Sequence, residues 1–192
     1  MQERRANLTD PAVLDALAHP VRLDVLGYLM SSGPATASQC ARAVGDSPSN
    51  CSYHLRVLAS HGLVEPDGGG DGRSRPWRAT LTGFSVDPGD AGDADTEAGR
   101  SRMLAAAVEL DHHLAREYLR GREHVPARWR AVDAHDHYGL ALTPDELADV
   151  LRRIDEVLRP YIQATRTGAP ADAEHVHVAL TAFARPGFGR RA

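Results

Sequence analysis

In the first sixty residues, apolar side chains recur every three or four positions in four short segments, which predicts four amphipathic helices. The first helix follows Asp10-Pro11, and the second begins at Pro20. The third begins at Thr36, the first residue of a capping box, and the fourth begins after Ser47, a typical N-cap residue. Gly62 ends the fourth helix, because glycine readily adopts the left-handed conformation found after helix ends.

The fourth predicted helix has two different faces. Its inner face carries the small and apolar residues Cys51, Leu55, Leu58 and Ala59. Its outer face carries the polar residues Ser49, Asn50, Ser52, Tyr53 and Arg56. Short hydrogen-bonding groups and one cation suit a helix that reads base edges in the DNA major groove.

Two short strands are predicted after this helix, at Leu63–Glu65 and Trp77–Leu81. The loop between them is rich in glycine and contains Arg73 and Arg75, and Arg78 lies in the second strand. A flexible loop that carries cations is typical of a wing that contacts phosphates or the minor groove. Residues 1–84 are therefore predicted to form a winged helix-turn-helix domain.

The composition favours a globular cytoplasmic protein. The 192 residues are 42% hydrophobic, and no apolar run is long enough to predict a membrane span or a secretion signal. Two cysteines cannot form a disulfide scaffold, and all 22 basic residues are arginine. The net charge of −4 comes from the segment 85–97, which holds five acidic residues and no arginine, so the first domain can still present a basic face.

Three stretches together resemble the ArsR-type winged helix-turn-helix transcriptional regulators. They read ALAHPVRLDVL, TASQCARAV and SPSNCSYHLRVLASHGLV, and the resemblance covers about residues 10–83. It implies a homodimer that binds a double-stranded DNA operator, often as a repressor released by a metal ion or another inducer. It also implies that the outer face of the fourth helix contacts the operator and that the wing arginines contact its backbone. The third helix holds only Cys40, whereas metal-sensing members often carry a cysteine pair there.

Residues 85–97 are predicted to be an acidic linker, and residues 98–192 a second domain. A long helix is predicted for about Ala98–Arg120 and is our first choice for the dimer interface. Thr143 begins another helix, because proline and a capping-box glutamate follow it. Three stretches are predicted as strands, namely Trp129–Val132, Tyr138–Leu142 and His175–Phe183. The expected fold is mainly helical with a small β part, in which this second α+β domain dimerises and binds a small-molecule effector.

Two groups of residues allow alternative readings. Cys40 and Cys51 are either small core residues or a redox-sensing pair. The histidines in His135-Asp136-His137 and His175-Val176-His177 are either solvated or, if their strands pair, able to converge on a transition metal. No spacing among them is diagnostic, so the sequence predicts no metal site and no cofactor.

No catalytic residues are predicted, because the sequence has no phosphate-binding glycine loop, nucleophile elbow or HExxH motif. The sequence therefore predicts a DNA-binding transcriptional regulator and not an enzyme. A metal- or redox-responsive regulator and a winged-helix protein-interaction module remain the alternatives.

Overall fold

The structure is a computed structural model that describes residues 5–68, 75–86, 94–162, 166–185 and 187. It is mainly helical with a small antiparallel sheet, as predicted. The helices are α1 (Pro11–Leu17), α2 (Pro20–Ser32), α3 (Ala37–Val44), α4 (Pro48–Ser60), α5 (Ala94–Gly121), α6 (Ala127–Arg130) and α7 (Pro144–Leu158), with 3₁₀ turns at Arg122–His124 and Arg159–Tyr161. The strands are β1 (Arg5–Asn7), β2 (Val64–Pro66), β3 (Trp77–Ala79) and β4 (Gly83–Ser85).

The predicted starts of the first four helices are confirmed. Asp10 caps α1 by accepting a hydrogen bond from the Ala12 backbone N–H. The capping box of α3 is complete, because the Thr36 side chain accepts from the Gln39 backbone while the Gln39 side chain accepts from the Thr36 backbone. The C-cap of α3 is Gly45, with a left-handed φ of 68° that links α3 to α4 in a tight turn.

The wing is an antiparallel pair of β2 and β3 in which Glu65 lies opposite Arg78. Trp77 also exchanges two backbone hydrogen bonds with Ala35, which ties the wing to the start of α3. A second sheet was not predicted from the sequence. In it, β1 pairs with β4 in parallel, bringing the start of the chain to the end of the wing.

Helix α5 begins at Ala94, within the predicted linker, and its first half joins the core of the winged helix. Gly99, Met103 and Ala106 are buried, and α5 crosses both α1 and α2. A Cβ atom at Gly99 would lie 3.4 Å from the Leu14 Cβ, so glycine permits this close crossing. The predicted division into domains 1–84 and 98–192 stays a prediction, although α5 contributes to the core of the first.

The C-terminal part contains α6 and α7 but no strand among its described residues. The strand predicted for Trp129–Val132 is wrong, because Trp129 lies in α6. The strands predicted for Tyr138–Leu142 and His175–Phe183 are also wrong, because these described residues form no strand. A strand needs a hydrogen-bonded neighbour, and the described part of the chain provides none for either segment.

None of the described helices is both long enough and apolar enough to cross a membrane.

Candidate nucleic-acid interface

The recognition helix α4 is fixed at its start by two side chains. The Ser47 hydroxyl accepts a hydrogen bond of 3.1 Å from the Asn50 backbone N–H. The Asn50 side-chain amide donates to the Asp46 carboxylate over 2.6 Å, and the Ser47 backbone N–H donates to the same carboxylate. Asp46 was not predicted to have a role, and its contact limits how freely the Asn50 side chain can turn.

The two predicted faces of α4 are present. On the inner face, Cys51, Leu55 and Leu58 are fully buried. On the outer face, Ser49, Asn50, Tyr53 and Arg56 are exposed, while Ser52 is half-buried. The Tyr53 side chain is 59% exposed although it is aromatic, and Arg56 makes no ion pair with any described residue. These two side chains are therefore available to a partner.

The three wing arginines have different surroundings. Arg73 lies outside the described residues, and Arg75 is exposed at the base of the wing tip. The Arg78 guanidinium lies 2.8 Å from the Glu65 carboxylate and 3.8 Å from that of Asp67. These neighbours offset the charge of Arg78, so Arg75 is the better placed of the two described cations for a phosphate contact.

A buried histidine on the inner side of α4 packs against the start of α2, and sequence reasoning missed it. His54 is 4% exposed, and its ring centroid lies 4.7 Å from that of His19 at the start of α2. Neither ring nitrogen of His54 has a hydrogen-bond partner among the described residues. Burial lowers the pKa of His54, and the charges of His19 and Arg22 lower it further. The signal in the sequence was its position, three residues after Cys51 and one before Leu55.

The two cysteines have the burial that the core-residue reading predicts. Cys40 and Cys51 are 0% exposed and are not joined by a disulfide. Burial raises the pKa of each thiol to about 11. A thiol that is both buried and protonated is a poor nucleophile, so their surroundings do not favour redox sensing.

The histidine groups of the C-terminal part do not converge among the described residues. The Nε2 atoms of His135 and His137 lie 3.0 Å apart, but His177 instead contacts the Asp111 carboxylate on α5 over 3.0 Å. No group of three or more metal-binding side chains is found in the described part of the chain.

Residues 17–67 match the family model described as a helix-turn-helix domain. No curated protein matches the chain. Among solved structures, one match is a MarR family protein of Mycobacterium tuberculosis in complex with salicylic acid. That chain is 20% identical, and the alignment covers 78% of this chain and 87% of that one with a TM-score of 0.29. The matched domain, its exposed fourth helix and the adjoining wing show a winged helix-turn-helix domain, and this domain supports a DNA-binding transcriptional regulator.

Proposed function

We propose that the protein is a homodimeric repressor of the ArsR type that reads a roughly palindromic operator. Each copy places α4 in the major groove and Arg75 near the sugar-phosphate backbone. The observation that carries this proposal is the outer face of α4, where Tyr53 and Arg56 are exposed on a helix whose opposite face is fully buried. Such a rigid helix can present the same side chains to each half-site.

The second part of the proposal is that the C-terminal part receives a small-molecule effector. A groove of about 230 Å³ supports it, because β4 of the winged helix and the end of α7 line this groove together. Phe84, Leu158 and Ile162 give the groove an apolar wall. A ligand bound there would act on the connection between α7 and the DNA-binding part, and so could shift the spacing of two recognition helices.

The test of DNA reading is selection from a random duplex library followed by mobility-shift titration. Selection should return a two-fold symmetric site with half-site centres about 34 Å apart. Arg56→Ala should weaken binding to that site by about 5- to 150-fold, which corresponds to about 1–3 kcal/mol. Tyr53→Ala should also weaken it, and neither variant should change the circular dichroism spectrum, because both side chains are exposed.

The matched control is Arg116→Ala, which removes an exposed arginine from α5, far along the chain from α4. It should leave the affinity and the slope of affinity against salt concentration unchanged. Unchanged affinity in both α4 variants would contradict the assignment of this face to DNA.

A further inference from the structure

The C-terminal part of the chain exposes most of the large apolar side chains that the structure leaves uncovered. Ten of the fifteen exposed large apolar residues in the described chain lie between Tyr138 and Phe183. No described residue after Ala106 is buried. So many exposed large apolar side chains in one part of the chain are more typical of an interface than of a surface left in water.

Two segments on this surface have the properties of strands without neighbours. Residues 134–142 and 176–184 run without a turn or sharp bend, and their backbones make no hydrogen bond to another described backbone group. In residues 176–184, Val176, Val178 and Leu180 alternate with other residues, and all three are 56–61% exposed. Period-two alternation places these three side chains on one face of a strand.

Helix α7 is also built to lie on an apolar surface. Its outer face is charged and internally paired, for example between Arg152 and Glu156 over 2.6 Å. Its other face carries apolar residues such as Val157, which is 66% exposed, and Tyr161 in the following 3₁₀ turn is 64% exposed. A complete capping box at Thr143 and Glu146 holds the helix in place, yet none of its residues is buried. A sheet with one apolar face would cover it.

We infer that residues 176–184 pair in antiparallel fashion with the same segment of a second copy of this chain. α7 of each copy then packs on the apolar face of the shared strands. This inference rests on the homodimer proposed above and names the surface that forms it. The surface differs from the predicted one on α5, whose buried residues already pack within the chain.

The sequence of the segment itself argues for a second copy as the partner. Between residues 176 and 184 there is no proline, arginine, aspartate or glutamate, which are the residues that natural edge strands use to prevent such pairing. If the pairing is centred on Leu180, Val176 lies opposite Ala184 and Val178 lies opposite Ala182. Each valine then faces an alanine and the two copies of Leu180 face each other, with all of them on one side of the sheet. A two-fold pairing of this kind is closed, so assembly stops at the dimer.

The same segment is connected to the DNA-binding part. His177 contacts Asp111 on α5, and the first half of α5 packs on α1 and α2. A sheet shared by two copies would therefore fix the distance between their recognition helices, as a palindromic operator requires.

The experiment compares four full-length proteins by sedimentation equilibrium or light scattering. The wild type should have twice the 20.7 kDa chain mass. Val178→Glu should fall to a single chain mass, because two carboxylates would enter the apolar face of the shared sheet. Thr181→Glu is the matched control: it adds the same charge on the opposite face and should remain a dimer. Leu104→Glu, which alters the exposed side of α5, should also remain a dimer.

A monomeric wild type, a Val178→Glu variant that remains a dimer, or dissociation by Leu104→Glu alone would overturn the inference. Val178 is 61% exposed within one chain, so the variant should retain the helical circular dichroism signal of the wild type and lose only the contribution of the shared strands. The failure of the proposed function is separately visible. Monomeric Val178→Glu should bind a single half-site as the wild type does and lose only its preference for the palindrome. If no variant binds DNA while the masses follow this order, only the DNA-reading proposal fails.

Discussion

The winged helix and the C-terminal part are both ordered by clear local signals, but only the first buries a core within one chain. Leu14, Leu26 and Leu55 are at most 1% exposed, whereas Val157, Val178 and Phe183 are each more than half exposed. Both parts contain a capping box and amphipathic helices. The difference shows that local signals form helices in either part, while stability depends on whether the chain itself supplies a cover for their apolar faces.

The largest expected effect is a loss of stability on opening the core of the winged helix. Leu55→Ala should lower the free energy of unfolding by about 2–5 kcal/mol, because Leu55 is fully buried beneath α4. The matched control is Leu119→Ala on α5, where the side chain is 67% exposed and the loss should be within about 0.5 kcal/mol. Urea denaturation measures both. Similar decreases in the free energy of unfolding for the two variants would contradict the difference in burial between Leu55 and Leu119.

A smaller effect should follow the protonation of His54. Burial lowers its pKa in the folded protein, whereas the unfolded chain regains an ordinary value near 6.5. As the pH falls below about 6.5, the unfolded state therefore takes up a proton that the folded state does not. The free energy of unfolding should decrease on acidification, by at most about 1.4 kcal/mol per pH unit for one proton.

Urea denaturation at pH 7.5 and pH 5.5 checks this for the wild type and for His54→Leu. The variant should lose less stability than the wild type between these values. Burial raises the pKa of Asp24, which acts in the opposite direction, but both proteins retain Asp24 and the difference between them isolates His54. Equal losses in the two proteins would rule out His54 as the source.

The winged helix could be predicted from sequence because its boundaries depend on neighbours in the chain. Pro48 after Ser47, the Thr36 capping box and Gly62 each act within one helical turn, and all lie where predicted. The parallel pairing of β1 with β4 depends on residues nearly eighty positions apart, and no local signal indicates it. The strand predictions after Tyr138 required a neighbour that the described chain does not supply.

The candidate site could be predicted in part for the same reason. Helical periodicity placed Tyr53 and Arg56 on the outer face of α4. It could not show that Asp46 holds the Asn50 amide or that Glu65 pairs with Arg78, because these contacts depend on side-chain geometry. It also did not predict that His54 would be buried, since histidine is as often found at surfaces as in cores.

The smallest expected effect is the loss of a helix cap. The same threonine-to-alanine substitution in two nearly identical capping boxes should affect the winged helix and the C-terminal part differently. At Thr36 and at Thr143 the hydroxyl accepts a 3.3 Å hydrogen bond from the backbone three residues later. Thr36→Ala should lower the free energy of global unfolding by about 1 kcal/mol, because α3 packs in the core. Thr143→Ala should leave global unfolding of dilute protein nearly unchanged and should instead speed amide hydrogen exchange within α7, since that helix buries no residue. If both variants lowered global stability equally, α7 would unfold together with α3, and the C-terminal part would not depend on a second copy for its cover.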